Sequence, residues 1–230
     1  MRRLVFNVMG PLAADKRDFH LLQDVGLASI QIVHDLRNHL NGLKLYATFL
    51  RKRMETSERP PDELEAIAKL IAGLERTADD LTTLVRYGRP IELQKKQGVA
   101  FHKILSSLQR GNQSSLEFQL EMEDTSVVGA FDFVALSEAL QSITNGALKM
   151  RRDESPVLIQ QHVEEQSPPN RVLIEWRNIE TGNRDVFHSL TGSDGLKLSL
   201  AAKIIEAHQG TVEQKEGALC VSLPIQKRAN

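Results

Sequence analysis

The chain has 230 residues, a length that suits one or two domains, and its charge is balanced at a formal −1. That balance gives no reason to expect a nucleic-acid partner, and the single cysteine, Cys220, excludes an internal disulfide and a CxxC metal site. Aromatic residues make up 5% and charged residues 26%, a composition suited to a helix-rich protein.

Residues 1–14, MRRLVFNVMGPLAA, read as an irregular arm. Asn7, Gly10 and Pro11 interrupt an apolar run that is already short for a signal peptide. No stretch reaches the ~18–20 apolar residues of a membrane span. A cytoplasmic protein with no membrane insertion is therefore expected.

From Asp15 to about Met54 the apolar residues follow helical spacing. Leu27, Ile30, Val33, Leu36, Leu40, Leu43 and Ala47 recur at intervals of three and four. A helix of ~40 residues exceeds the usual globular length and suggests a bundle or coiled coil. Beside this stripe lie His34, Asp35, Arg37 and Asn38. His34 and Asn38 are four apart, so they share one face, a turn above each other. A carboxylate there can take a proton from one ring nitrogen and leave the other nucleophilic. A guanidinium can neutralise phosphoryl charge, and an amide can orient a water. The spacing alone fits two readings, a phosphoryl-acceptor site or a solvated helix face with one histidine on it.

Pro61 suits the first turn of a second helix, followed by Asp62 and Glu63 near its positive end. Leu64, Ile67, Leu70, Ile71, Leu74, Ala78, Leu81 and Val85 form its stripe, and Gly88-Arg89-Pro90 ends it. Two such helices form an antiparallel hairpin that cannot bury both stripes alone. Pairing two copies into a four-helix bundle can, so a homodimer is expected. Residues 91–99 read as a polar linker.

The pattern then turns to α+β. Helices are predicted over Phe101–Gln109, Phe131–Met150 and Leu196–His208, the last ended by Gly210. Strands are predicted over Leu116–Met122, Val127–Gly129, Val157–Val163, Arg171–Trp176, Thr211–Gln214 and Ala218–Leu223. Cys220 reads as a buried strand position and Trp176 as core. His208 falls near a helix C-terminus, where a cation is mildly favoured. Neither His102, His162, His188 nor His208 shows metal-ligand spacing.

The segment His34-Asp35-Leu36-Arg37-Asn38-His39-Leu40 resembles the H-box of two-component histidine kinases, with His39 in place of the usual kinking proline. The resemblance implies that His34 is the phosphorylated residue. It implies that Asp35 assists phosphoryl transfer and that Asn38 assists dephosphorylation of a partner response regulator. His39, five positions on, points elsewhere and reads as structural.

Residues 100–230 resemble the ATP-binding domain of the same family, an α/β sandwich shared with gyrase-type ATPases. Leu136–Lys149 is similar to the N-box, whose asparagine holds the magnesium ion on the ATP phosphates. Asn145 is the match, with Gly146 where alanine is usual and Lys149 one residue late. An asparagine beside a glycine in a helix also fits a local helix break. Leu196–Pro224 is similar to the family's closing helix and hairpin. Between these the pattern departs. Asn178 stands where an aspartate reads the adenine amino group, and the glycines expected after it are absent. Ser193-Asp194-Gly195-Leu196-Lys197 keeps one of three phosphate-approaching glycines. Lys197 brings a side chain into that place, and Asp194 brings negative charge, unfavourable near phosphate unless it holds a metal.

The expected organisation is thus an arm (1–14), a phosphoacceptor hairpin (15–90), a linker (91–99) and an ATPase-like domain (100–230). The resemblance implies a two-component histidine kinase that carries a phosphoryl group on His34 and passes it to the aspartate of a response-regulator receiver domain, with ATP and Mg2+ as cofactors. Input would arrive through a separate sensor protein. An ATP-incompetent phosphotransferase of a phosphorelay and a non-enzymatic dimeric scaffold are the alternatives that the altered glycine boxes leave open.

Overall fold

The computed structural model describes residues 33, 36–55, 61–111, 117–164, 170–182 and 185–226. They fall into two compact units that divide after Gly88. The predicted arm and residues 15–32 of the predicted first helix lie outside the described residues, as do His34 and Asp35.

The first unit contains helix α1, residues 36–55, and helix α2, Pro61–Gly88. Asp62 and Glu63 open α2 and Arg86 closes it, both favourable to the helix dipole. Between the helices Ala47, Ile71 and Val85 are buried, and Lys44 Nζ reaches Glu75 Oε1 at 2.7 Å. Much of the apolar stripe stays uncovered. Leu43 is 54% exposed and Tyr46 71%, and Leu36, Leu50 and Leu70 are exposed with them.

In the second unit a five-stranded sheet runs in the order β2-β4-β5-β7-β6. Its strands are β2 (Phe118–Met122), β4 (Val157–Glu164), β5 (Arg171–Arg177), β6 (Thr211–Lys215) and β7 (Ala218–Pro224). β2 is parallel to β4, and the other pairs are antiparallel. One face of this sheet is apolar because strand side chains alternate. Val157 and Ile159, then Val172, Ile174 and Trp176, then Leu219, Val221 and Leu223 lie on it, all buried. Helices α3 (Phe101–Gly111), α4 (Phe133–Lys149) and α5 (Gly192–Ala207) supply the other half of the core. Leu136, Leu140, Ile143 and Ala147 of α4 are fully buried, the positions its spacing predicts. The opposite sheet face is polar, with Glu121, Arg177, Glu213 and Lys215 exposed on it.

Several boundaries differ from the sequence expectation. The stretch read as a linker contains strand β1 (Lys96–Ala100), antiparallel to β3 (Val128–Phe131). Its register shifts between Lys96 and Val99, around Gly98 at a φ of 68°. That irregularity removes the alternation by which a strand is recognised. Helix α4 begins at Phe133 because the Asp132 carboxylate accepts from the amides of Val134 and Ala135 and so caps it. Helix α5 begins at Gly192, four residues before the predicted start at Leu196. Gln209, not Gly210, takes the left-handed φ of 63° after α5.

The residues before β1 are strapped to the helices. Gln94 N donates to Asp132 Oδ2 (2.8 Å), Lys95 Nζ to Ala207 O (2.9 Å) and Lys203 Nζ to Arg89 O (2.8 Å). Burial works against the charge on Asp132, but the amides of Ala135, Gln94 and Val134 outweigh it and hold its carboxyl below the ordinary range. The Asp132 amide in turn donates to His208 Nε2 (3.0 Å), which leaves Nδ1–H to donate to Ile204 O (2.8 Å).

His208 is therefore a buried neutral ring and not the cation expected at that helix end. Burial pushes its pKa down from the ordinary 6.5, with Lys95 acting in the same direction. The folded state resists a proton that the unfolded chain accepts, so this histidine makes no difference above the unfolded pKa and destabilises as pH falls below it. We expect the thermal midpoint of the protein to drop between pH 7 and pH 5.5. In His208→Phe the drop should be shallower, from a lower starting midpoint; an unchanged pH slope in that variant would show that other groups cause it.

Candidate functional site

The tie between sheet and helix at the centre of the second unit sets the geometry of the site. Trp176 on β5 is fully buried, and its Nε1–H donates to Thr144 Oγ1 on α4 at 2.9 Å. Thr144 also donates to Leu140 O, so the hydroxyl is satisfied in both roles. With Thr144 turned inward, the next residue, Asn145, is turned out of the core and is exposed. Helix α4 runs unbroken to Lys149, so Asn145-Gly146 marks no break. Gly146 instead makes room for α5. A Cβ there would lie 2.9 Å from Leu198 Cδ2.

Asn145 and Lys149, one turn apart, line a concavity of about 330 Å³ with Glu117, Ser142, Asp194 and Lys197. Asn145 Oδ1 accepts from Gln141 Nε2 at 3.0 Å. Asp194, in the first turn of α5, accepts from Lys149 Nζ at 2.5 Å. Its negative charge is favoured by the helix start and by the lysine. No bound metal is needed to explain it, and among the described residues no group of three metal-binding side chains occurs.

Asn178 is not part of this concavity. It lines a separate one of about 540 Å³ with Arg152, Glu175, Arg177 and Lys215. Its backbone takes a φ of 64° and its amide donates to Pro156 O at 3.2 Å. Sequence reasoning missed this second concavity. Its signal was faint, a glutamate in the middle of an otherwise apolar strand. Burial raises the Glu175 pKa, but Arg177, at 2.5 Å, outweighs it and keeps the carboxyl ionised. The neighbouring Cys220 thiol is pushed up to about 11, mainly by burial, so it is an inert core group, as its strand position predicts.

The chain after β5 is fastened to its surroundings. Glu180 N donates to Met150 O (2.7 Å), and Thr181 Oγ1 donates to Lys215 O (3.0 Å). The Gln214 amide holds Gly182 O on one side and Val186 N on the other. Ile179 and Phe187 are buried. Ser199 Oγ donates to Ser189 O, and that same carbonyl lies 2.6 Å from where a Cβ on Gly195 would stand. Gly195 is thus a glycine because the chain's own carbonyl approaches it.

These observations test the fit of a nucleotide. A base held at Asn178 and phosphates held at Asn145 would have to share one cavity. The two residues line different ones, the indole of Trp176 fills the core between β5 and α4, and a protein carbonyl occupies the approach to Gly195. The residues around Asn145 have donors suited to a phosphate-sized anion. The predicted group comprises Asn145, Lys149, Asn178, Gly195 and Lys197. Asn145, Lys149 and Lys197 come together, and Asn178 and Gly195 serve the backbone. On the hairpin, Asn38 is exposed and Arg37 half-buried on α1, beside the undescribed His34 and Asp35.

The architecture, a helical hairpin followed by a mixed sheet under three helices, is the fold of histidine kinases with their ATPase-type catalytic domain. The full-length structure of ShkA in complex with AMPPNP superposes on 87% of this chain with a TM-score of 0.65 and 15% identity. The chain covers 46% of that protein. The Acinetobacter baumannii histidine kinase AdeS superposes on 85% of this chain and 98% of its own, with a TM-score of 0.53 and 17% identity. No protein-family model matches the sequence, and no curated protein matches it either.

Two glycines separate close packing from mere exposure. We expect Gly195→Ala to lower stability by about 1–3 kcal/mol, because its methyl must displace the Ser189 carbonyl. Gly182→Ala, with nothing within 4 Å, should stay within about 0.5 kcal/mol of wild type. Thermal or urea denaturation of both variants measures the difference.

Proposed function

We propose that this chain is a cytosolic phosphotransfer protein of two-component type. It takes a phosphoryl group from one protein onto His34 and passes it to the aspartate of a response-regulator receiver domain. The observation that carries the proposal is the sequence HDLRNHL, whose residues 36–40 lie on α1 of the hairpin, in a histidine-kinase fold whose predicted nucleotide residues line two concavities. In the transfer a ring nitrogen of His34 attacks the phosphorus of an aspartyl phosphate. The N–P bond forms, the acyl P–O bond breaks, and the carboxylate leaves. Asp35 takes up the proton of the other ring nitrogen as charge develops there, and Arg37 offsets phosphoryl charge. The reverse sequence delivers the group to the next receiver, and Asn38 orients water when the receiver is dephosphorylated. No helix among the described residues is long and apolar enough to cross a membrane.

The hairpin works as a homodimer. Leu36, Leu43 and Leu50 lie seven apart along α1, and Tyr46 beside them is exposed. Covering such side chains is worth about 1.5–3 kcal/mol each, and a second hairpin offers the matching surface. A second reading, an autokinase using ATP and Mg2+, is favoured by Asn145, Lys149 and Lys197 lining one concavity.

Three outcomes separate the readings. Incubation with a phosphorylated receiver domain should label the protein, and His34→Ala should abolish the label. Label from ATP with magnesium would favour the autokinase, and no label from either source would favour a scaffold. In a separate experiment Leu43→Asp with Leu50→Asp should turn a dimer into a monomer at micromolar concentration by sedimentation. A wild-type protein that is already monomeric there would remove the bundle.

A further inference from the structure

We infer that Asp194 is a resident anion, which holds the place of a phosphate in the Asn145 concavity and keeps polyphosphates out. The inference rests on the reading that the second unit does not use ATP, and it assigns the cause to one side chain.

The setting is that of an anion site in every respect but one. Lys149 and Lys197 approach from α4 and α5, Asn145 adds an amide, and the first turn of α5 adds its dipole. In the middle stands the Asp194 carboxylate, 2.5 Å from Lys149 Nζ. A carboxylate meets a lysine and a helix start with the chemistry a phosphate oxygen would use. The sum of formal charges in the lining is zero, because Asp194 and Glu117 balance Lys149 and Lys197. An incoming phosphate would meet two carboxylates as well as two lysines, so repulsion from one pair opposes attraction to the other. It would also have to separate an ion pair that is already made. Replacing Asp194 by asparagine keeps the shape, removes one negative charge and frees Lys149.

The ion pair is exposed on both sides, with side-chain exposures of 62% and 53%. Such a pair adds little to stability. Its removal therefore leaves the fold intact, and its effect is confined to what the concavity will accept. In functional terms Asp194 ensures that phosphoryl groups enter this protein from another protein and not from the nucleotide pool.

The test is calorimetric titration of the full chain with inorganic pyrophosphate and, separately, with Mg·ADP, at low and at physiological salt. Wild type should bind neither. Asp194→Asn should bind pyrophosphate at least about tenfold more tightly than wild type, and added salt should weaken that binding. Adding Lys149→Ala to Asp194→Asn should remove the gain. Thermal denaturation establishes that each variant is folded. A folded Asp194→Asn protein with no gain overturns the inference and leaves the phosphotransfer reading standing. A wild-type protein that binds Mg·ADP overturns the reading that the second unit is nucleotide-free, and with it the role of Asp194.

Discussion

A single hydrogen bond, from the Trp176 indole to the Thr144 hydroxyl, fixes the second unit. In water the gain from one such bond is modest, about 0.5–1.5 kcal/mol. Here it joins groups that are both fully buried, where an unpaired indole or hydroxyl would cost more than the bond itself returns. The sheet and α4 are consequently held in one register. With Thr144 committed inward, Asn145 and Lys149 are committed outward, toward the start of α5. Asn145 and Asn178 line separate concavities.

The division of labour in the site follows from charge and space. Around Asn145 an acid and a base neutralise each other at the surface. Around Asn178 a buried carboxylate is held ionised by the arginine two residues along its own strand. The segment after β5 is fastened at Thr181, Gly182, Val186 and Phe187, with the Gln214 amide acting as a short stretch of extra backbone.

Much of the fold was legible because its signals are local and periodic. The α4 face of Leu136, Leu140, Ile143 and Ala147 and the strands around Trp176 and Cys220 stand where apolar spacing puts them. β1 was not legible, since a shift in register around Gly98 erases its alternation. The start of α4 turned on Asp132, whose capping role depends on where its carboxylate points. The histidine at the end of α5 was misread because its ring is decided by a backbone amide 76 positions earlier in the sequence. The site was legible in its membership and not in its grouping. Asn145, Lys149, Lys197 and Asn178 are all exposed polar residues, and their letters alone do not show that three of them line one concavity and the fourth another.

The strap ahead of β1 has a mechanical consequence. Arg89, Gln94 and Lys95 are gripped by Lys203, Asp132 and Ala207, which belong to the last turns of α5 and the cap of α4. Those grips sit at the ends of the two helices remote from Asn145 and Asp194. Residues 89–95 are thereby held to two helix ends of the second unit before the chain enters β1. The connector thus behaves as the first rung of the second unit rather than as slack rope between the two.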